Sequence, residues 1–176
     1  LERHQDVVRI ARPVDPHLEL AEIQRRVYAA GGPALFFERV EGSPFPAASN
    51  LYGTPERCRH LFRQTLERSK RAIEMRADPA AAVRRFWRHL GAPLAGLTSL
   101  PSRSLRPAVL AHTTKLSALP QLQSWPLDGG PFVTLPQVYT EDPDDPRPLR
   151  SNLGMYRVQL GGNEYTPDRE VGLDYQ

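Results

Sequence analysis

The spacing of proline divides this chain into two parts of different architecture. Between Gly91 and Arg150, prolines recur at positions 93, 101, 107, 120, 126, 131, 136, 143, 146 and 148. Proline lacks a backbone N–H and its ring clashes with the preceding helical turn, so this spacing excludes long helices and favours strands and loops. The helices of the fold are therefore expected in the first ninety residues.

Residues 15–52 carry the pattern of one helix followed by two strands. The pair Asp15-Pro16 predicts a capped helix start, and apolar positions between Leu18 and Tyr28 recur near helical spacing. Residues 34–40 are short, apolar and bounded by turn residues, which predicts a buried strand. Residues 47–52 predict a weaker strand.

Two further helix starts follow. Thr54-Pro55 combines an N-cap residue with proline at the first helical position, and apolar residues continue on one face as far as Ile73. Cys58 lies on that face, which predicts a core position for the single cysteine. Asp78-Pro79 repeats the signal and predicts a helix that ends at Gly91.

The proline-rich part predicts a second, β-rich domain that begins near residue 106. Its strand candidates are residues 107–111, 132–135, 137–140 and 154–160. The acidic stretch 141–146 is typical of an exposed loop, and residues 161–168 predict a hairpin loop before the last strand. The sequence thus predicts an α+β fold, with an N-terminal α/β lobe at 1–105 and a β-rich domain at 106–176.

Composition and charge narrow the class of protein. With 40% hydrophobic residues and one cysteine in 176 residues, the chain can form a core without disulfides or a cysteine-rich zinc site. No apolar run approaches the roughly 20 residues of a membrane helix, and the first residues lack a signal-peptide core, so a cytoplasmic location is expected. The positive charge in excess resides in residues 55–90, which carry 10 basic and 4 acidic groups, whereas the rest of the chain carries 13 basic and 16 acidic groups. A solvated helical face explains this excess better than a nucleic-acid site, because no nucleic-acid motif accompanies it.

The common catalytic motifs do not occur in the sequence. A glycine-rich dinucleotide fingerprint, a phosphate loop, a nucleophile elbow and a paired-histidine zinc helix are all missing. The five histidines, at positions 4, 17, 60, 89 and 112, are scattered over different predicted elements. This scatter favours surface or helix-end positions over metal ligation.

One strand candidate, residues 150–157, carries an unusual density of polar residues. In an extended strand, alternate residues point to opposite faces. One face would carry Asn152, Gly154 and Tyr156, and the other would carry Leu153, Met155 and Arg157. An arginine on a buried apolar face needs an anionic partner, and Gly154 leaves room for a close approach to the backbone. From spacing alone, an edge strand with an exposed Arg157 and a turn-forming Asn152 is the simpler interpretation.

Four stretches carry a family resemblance in the same order along the chain. They are residues 18–27, 31–38 running on to 49–57, 119–126 with 129–136, and Ser-Asn-Leu-Gly-Met-Tyr-Arg at 151–157. These stretches resemble the UbiD family of decarboxylases, which use prenylated flavin mononucleotide (prenylated FMN). The resemblance implies an N-terminal α+β lobe followed by the first strands of a split β-barrel that holds the flavin.

The resemblance also implies roles for residues of the polar strand. Asn152 matches the asparagine whose side-chain oxygen coordinates a manganese ion (Mn²⁺) tied to the cofactor phosphate, and K⁺ is a further candidate ion. Met155, Tyr156 and Arg157 match the segment that lies along the flavin. Arg157 also matches an arginine of the family's catalytic set, and its planar fork of donors can hold a substrate carboxylate.

The implied reaction is a reversible, non-oxidative decarboxylation of an aromatic or α,β-unsaturated carboxylic acid. The cofactor carries out the carbon–carbon chemistry, while the protein supplies orientation and a proton. The family's proton donor, its other metal ligands and its oligomerisation domain are expected downstream of Gln176, since Glu170 and Asp174 do not lie in the family's acid motif. This chain is therefore expected to carry part of the site and to be inactive alone. A homo-oligomer is expected for the complete protein, with a flavin prenyltransferase as cofactor supplier.

Two alternatives remain open at this point. A truncated relative that serves as a binding or assembly module would keep the fold without catalysis, and cofactor retention distinguishes it from a decarboxylase. A basic nucleic-acid binder that uses residues 55–90 ranks last, and it predicts a steep salt dependence of nucleic-acid affinity.

Overall fold

The computed structural model describes residues 1–77, 105–147 and 150–174 and has a mixed α+β architecture, as predicted. Its contacts divide the chain into two units, one comprising Leu1–Gly53 with Ala108–Gln176 and the other Thr54–Pro107. The domains predicted at 1–105 and 106–176 stay a prediction, because residues 78–104 beside the predicted boundary lie outside the described part.

The first sheet has three strands in the order β1-β2-β3. β1 (Val7–Val14) runs parallel to β2 (Ala34–Val40), and β3 (Ala47–Ser49) pairs antiparallel with β2. α1 (Glu19–Ala29) lies in the crossover that two parallel strands require. The strand predicted at 34–40 is confirmed at its predicted bounds. The strand predicted at 47–52 is shorter, since Asn50 adopts a φ of 56° that ends it.

β1 has no counterpart among the predicted elements. Val14 is its one fully buried residue, and most of its other side chains are exposed. Its register with β2 shifts between Ile10 and Pro13, where an irregularity accommodates the proline in an edge strand. A strand exposed to this degree carries no alternating apolar signal in its sequence.

The core of this unit lies between the first sheet and α1. Its buried residues are Val14, Leu20, Leu35, Phe37 and Val40. Leu122, from the proline-rich part of the chain, packs against this cluster. The Leu18 N–H donates to the Gln123 carbonyl at 3.0 Å, and the Gln123 N–H donates to the Pro16 carbonyl at 3.1 Å. The segment around residue 122 is thereby joined to the start of α1.

The start of α1 differs from the prediction. The helix begins at Glu19 with Leu18 as its N-cap, not at Asp15-Pro16, and no side chain caps it. The Asp15 side chain instead accepts a hydrogen bond from the His17 N–H at 2.7 Å. Aspartate commonly bonds to the backbone two residues ahead, so Asp15 organises the turn before the helix rather than its first turn.

The second unit contains α2 (Pro55–Leu61) and α3 (Leu66–Ala77). The predicted cap is confirmed, because the Thr54 side chain accepts a hydrogen bond from the Arg57 N–H at 3.2 Å. The single long helix predicted from Thr54 is wrong, since residues 62–65 form turns that separate two helices.

The predicted buried face of this helical region is also less buried than expected. Ile73 is exposed and Cys58 is only partly buried. The helix predicted to begin at Asp78-Pro79 lies outside the described residues. Among the helices that are described, none is long and apolar enough to cross a membrane.

Two antiparallel sheets occupy residues 132–174. The three-stranded sheet has the order β4 (Phe132–Val133), β7 (Arg157–Gln159) and β8 (Gly172–Asp174). The two-stranded sheet consists of β5 (Gln137–Glu141) and β6 (Ser151–Met155). These strands confirm that this part of the chain is β-rich, as predicted, and the loop between β7 and β8 confirms the loop predicted before the last strand.

Two strand predictions in this part are wrong in detail. Residues predicted as a strand at 107–111 form a 3₁₀ turn at Ala108–Leu110. The single strand predicted at 154–160 is two strands, because the chain passes from β6 to β7 at Tyr156 and changes sheets there.

Two glycine pairs hold the start of β4 against the end of β7. A Cβ on Gly162 would lie 1.8 Å from the Gly129 carbonyl oxygen, and a Cβ on Gly130 would lie 2.2 Å from the Gly161 carbonyl oxygen. The φ of 93° at Gly162 is also a conformation that side chains with a Cβ rarely adopt. Only glycine permits this approach, which fixes the turn that precedes β4.

Candidate functional site

Arg157, the first residue of β7, lies between an acid and an aromatic ring. Its Nη2 donates a hydrogen bond to Asp128 Oδ1 at 3.3 Å. Its guanidinium carbon lies 4.0 Å from the centroid of the Phe132 ring. Phe132 pairs with Gln159 across the two strands, and Arg157 is two residues from Gln159 on the same face. The strand register therefore places the ring against the guanidinium.

Asp128 belongs to the turn that leads into β4. Its N–H donates to the Trp125 carbonyl at 3.1 Å, and its Oδ2 accepts from the Trp125 N–H at 3.1 Å. The Asp128 side chain is 11% exposed, whereas that of Arg157 is 40% exposed. The Asp128 carboxylate is therefore held in the turn, whereas part of the Arg157 side chain faces solvent.

Asn152 lies in β6 on the face predicted for it, together with Gly154 and Tyr156. Its Nδ2 donates a hydrogen bond to Tyr156 Oη at 2.7 Å. A Cβ on Gly154 would lie 2.6 Å from the Tyr156 ring, so this ring is the group that approaches the Gly154 backbone. With the amide nitrogen engaged, Oδ1 of Asn152 is the atom left to accept a hydrogen bond or to coordinate a cation.

The opposite face of the β5–β6 hairpin is apolar and exposed. Leu153 and Met155 are 63% and 61% exposed, and Tyr139, which pairs with Leu153, is 49% exposed. The predicted continuation of this face to Arg157 is wrong, because β6 ends at Met155 and Arg157 begins a strand of another sheet. The structure therefore brings Asn152 to Tyr156, and Arg157 to Asp128 and Phe132.

The described residues supply one candidate metal ligand at this site. Within residues 1–77, 105–147 and 150–174, no group of three or more His, Cys, Asp or Glu side chains could hold a metal ion. The Asn152 Oδ1 atom is a hard oxygen donor of the kind that Mn²⁺ or K⁺ accepts. It fits as a single ligand, and a metal ion bound there needs further ligands from elsewhere.

A cavity of about 830 Å³ lies in the connection between β7 and β8, and none of the predicted site residues lines it. It is lined by Gly162, Asn163, Glu164, Tyr165, Glu170 and Val171. A hydrogen bond of 2.6 Å from the Thr166 N–H lowers the pKa of Glu170, which keeps this carboxylate ionised at neutral pH. Two acidic side chains make the cavity unfavourable for an anionic substrate, and an ionised Glu170 has no proton to donate.

Family comparisons match both parts of the chain. Residues 1–86 match the N-terminal domain of 3-octaprenyl-4-hydroxybenzoate carboxy-lyase. Residues 102–176 match the Rift-related domain of the same carboxy-lyase. The chain belongs to the UbiD family, whose members are carboxy-lyases.

Two chlamydial relatives illustrate the similarity. An uncharacterized protein of Chlamydia trachomatis serovar D is 43% identical over 181 residues, covering 100% of this chain and 30% of the relative. A 4-hydroxybenzoate decarboxylase subunit from Chlamydia pneumoniae is 41% identical over 159 residues, covering 88% of this chain and 26% of the relative. The chain thus spans less than a third of the length of these relatives.

Solved structures show the same fold. The UbiD-class enzyme HmfF from Pelotomaculum thermopropionicum, in complex with FMN, aligns with a TM-score of 0.68 at 22% identity, over 100% of this chain and 35% of that enzyme. Vanillic acid decarboxylase from Sedimentibacter hydroxybenzoicus, in an open form, aligns with a TM-score of 0.65 at 20% identity, over 99% of this chain and 36% of that protein. The α+β fold is therefore that of UbiD-class enzymes.

Proposed function

We propose that this chain forms part of a prenylated-FMN-dependent decarboxylase. The proposed reaction is the reversible, non-oxidative decarboxylation of an aromatic or α,β-unsaturated carboxylic acid. One observation carries the assignment of a site: the Arg157 guanidinium is fixed by Phe132 and Asp128, yet 40% of its side chain remains exposed. Family membership supports the reaction class.

In this proposal Arg157 binds and orients the substrate carboxylate. A guanidinium has five N–H donors in one plane, and a carboxylate can accept two of them side by side. The Phe132 ring restricts the plane of the guanidinium, so a bound carboxylate has a defined orientation. Holding the acid in this way lowers the entropy that is lost on the way to the transition state.

The described residues fit a flavin in two respects. The exposed apolar face formed by Tyr139, Leu153 and Met155 can cover an aromatic ring system, and it includes the proposed cofactor contact Met155. Asn152 Oδ1 can coordinate a cation bound to the cofactor phosphate, with Tyr156 Oη accepting from the amide nitrogen to orient it. When bound, prenylated FMN would supply the electron sink for the pair released with carbon dioxide.

The reaction balances without an external oxidant or reductant. The bond between the carboxylate carbon and its neighbour breaks, carbon dioxide leaves, and a proton takes its place on the organic fragment. In this proposal the proton donor is a residue other than Glu170, because the lowered pKa of Glu170 disfavours a donor role.

The proposal extends to partners and architecture. The antiparallel sheets β4-β7-β8 and β5-β6 support a split β-barrel around the flavin, of which they would be the first strands. We also propose a homo-oligomer in the cytoplasm that receives its cofactor from a flavin prenyltransferase. The structure of an evolved dimeric form of HmfF in complex with prenylated FMN aligns with 100% of this chain, and this neighbour supports the proposed oligomer and cofactor.

The test uses the full-length protein loaded with prenylated FMN and Mn²⁺. Decarboxylation of 4-hydroxybenzoate, the acid in the name of the C. pneumoniae relative, and of vanillate is followed by release of carbon dioxide. Arg157→Lys keeps the charge but loses the planar fork, so kcat/KM should fall by about 10²-fold. Arg150→Lys is the matched control, because Arg150 pairs with Asp145 at 3.0 Å on an exposed turn. Activity of Arg157→Ala at the wild-type level would refute the role of Arg157.

A second candidate function is an assembly module without catalysis. The exposed apolar face of the β5–β6 hairpin favours it, since such a face is typical of protein contacts. Flavin retention separates the two candidates. A decarboxylase part retains prenylated FMN in the full-length protein, and an assembly module does not.

A further inference from the structure

Asp128 is an acidic residue beside Arg157, the arginine proposed to bind the substrate. Its Oδ1 is the one hydrogen-bond acceptor that the Arg157 guanidinium meets within the described part of the chain. Sequence spacing gives no sign of this contact, because the two residues are 29 positions apart and meet only through the pairing of β4 with β7.

The position of Asp128 is set independently of Arg157. Its Oδ2 accepts from the Trp125 N–H, and its backbone carbonyl accepts from Gln123 Nε2 at 3.3 Å. The next residue, Gly129, is held by Gln159 Nε2, which donates to its carbonyl at 3.1 Å. Because its own turn holds the Asp128 carboxylate, this carboxylate can orient the longer side chain of Arg157.

The contact between the two charges restrains Arg157 without saturating it. A single Nη2–Oδ1 bond of 3.3 Å uses one of five N–H donors, whereas a bidentate pair would use two. The centroid of the Phe132 ring lies 4.0 Å from the guanidinium carbon of Arg157. The ring therefore limits rotation of the guanidinium plane. Because 40% of the Arg157 side chain is exposed, the remaining donors can meet a second carboxylate.

We propose that Asp128 is a positioning residue that orients the Arg157 guanidinium for the carboxylate of the substrate. This inference rests on the proposed function. Asp128 acts through Arg157 and does not itself contact the substrate. The opposite arrangement, in which Asp128 occupies the place of the substrate carboxylate and competes with it, predicts an effect of opposite sign on binding.

Two variants separate the charge of Asp128 from its role in the turn. Asp128→Asn keeps an oxygen acceptor for the Trp125 N–H but removes the charge that attracts Arg157. Asp128→Glu keeps the charge on a longer side chain and loses the close fit to the Trp125 N–H. Asp145→Asn is the matched control, because Asp145 pairs with Arg147 and Arg150 on an exposed turn.

The experiment measures benzoate binding by calorimetry on the full-length protein with bound cofactor. We expect Asp128→Asn to weaken benzoate binding about tenfold, which is the effect of one charge-assisted hydrogen bond. Asp128→Glu keeps the charge and should weaken benzoate binding less than Asp128→Asn does. Asp145→Asn should bind as the wild type does. Wild-type binding by Asp128→Asn together with loss in Asp128→Glu would show a purely structural turn and overturn the inference. Tighter binding by Asp128→Asn would show competition and overturn it as well.

Labelling of arginine by phenylglyoxal gives a second readout that needs no substrate. Peptide mass spectrometry should show faster labelling of Arg157 in Asp128→Asn than in the wild type, and an equal rate would contradict the positioning role. If Asp128→Asn fails to fold, Asp128→Ser, which also keeps an acceptor oxygen, replaces it with the same expected results.

Arg157→Ala distinguishes this inference from the proposed function. If Arg157→Ala binds benzoate as the wild type does, Arg157 is not the carboxylate site and the proposed function fails at this residue. If Arg157→Ala loses binding while Asp128→Asn changes neither binding nor labelling, only the positioning role of Asp128 is wrong.

Discussion

Two carboxylates of this protein are held in place by hydrogen bonds from backbone N–H groups in short turns. Asp128 is fixed by Trp125 in this way, and Asp168 is fixed by Ser117. In the second case the Ser117 N–H donates to Asp168 Oδ1 at 2.7 Å and the Ser117 hydroxyl donates to Oδ2 at 3.0 Å. The hydrogen bond from the Ser117 N–H, and next to it the one from the hydroxyl, hold the pKa of Asp168 below its usual range.

The Asp168 contact predicts a pH-dependent contribution to stability. A carboxyl whose folded-state pKa is lowered stabilises the fold above its unfolded pKa, and this contribution is lost as the pH falls through the folded value. Asp168→Asn should therefore lower the thermal midpoint by a constant amount between about pH 5 and 7, and the difference should shrink below about pH 3.8. Asp144→Asn is the control, since Asp144 makes no side-chain hydrogen bond with the described residues. A difference that stays constant down to pH 2 would contradict the assignment.

At the scale of elements, the turns between strands determine the geometry of the candidate site. The glycine pairs 129–130 and 161–162 lie so close that a Cβ on Gly130 or Gly162 would collide with the backbone of the opposite pair. This packing places the Asp128 turn at the start of β4, and the β4–β7 register then places Phe132 against Arg157. The site thus depends on two turns and one strand pair.

A pair of neighbouring substitutions tests this packing. Gly162→Ala forces a Cβ to within 1.8 Å of the Gly129 carbonyl oxygen at a φ of 93°. The unfavourable φ alone should cost about 1–3 kcal/mol. Gly161→Ala meets nothing within 4 Å and should change stability by less than about 0.5 kcal/mol. Urea unfolding of both variants gives the comparison, and equal midpoints would show that the two glycine pairs do not touch.

The same elements show what the sequence could predict and what it could not. β2 and α1 carry strong local patterns, and their existence followed from apolar spacing alone. The sequence did not predict β1, because most of its side chains face solvent. It also did not predict the break at Tyr156, because alternating side-chain directions along a strand carry no information about a change of sheet. The roles proposed for Asn152 and Arg157 rest on resemblance and stay predictions, whereas the contact of Arg157 with Asp128 depends on strand pairing that no local pattern encodes.

At the scale of the whole molecule, the described residues expose an apolar surface. Tyr139, Leu153 and Met155 form an exposed apolar face on a hairpin of only two strands. Two-stranded sheets are marginally stable without further packing, and their free edges can pair with other chains. The relatives of this chain are about three times as long, and we propose that the cofactor and the remaining segments of the longer protein together cover this face.

The exposed face predicts the behaviour of the 176-residue chain when it is expressed by itself. We expect it to self-associate, because apolar surface of this kind is removed from water by contact with another copy. Light scattering after size-exclusion chromatography measures the molecular mass. The double substitution Leu153→Thr with Met155→Thr should reduce the association. A monodisperse, cooperatively unfolding monomer of the unmodified chain would contradict this expectation.

Cofactor retention tests the central claim most directly. The full-length protein is co-expressed with a flavin prenyltransferase, purified, and assayed for flavin by absorbance and for manganese by elemental mass spectrometry. The proposal predicts that the wild type and the control Asn163→Ala retain both, and that Asn152→Ala loses most of both because Oδ1 is removed. A folded wild-type protein without flavin, or an Asn152→Ala variant that retains as much flavin and manganese as the wild type, would contradict the proposal.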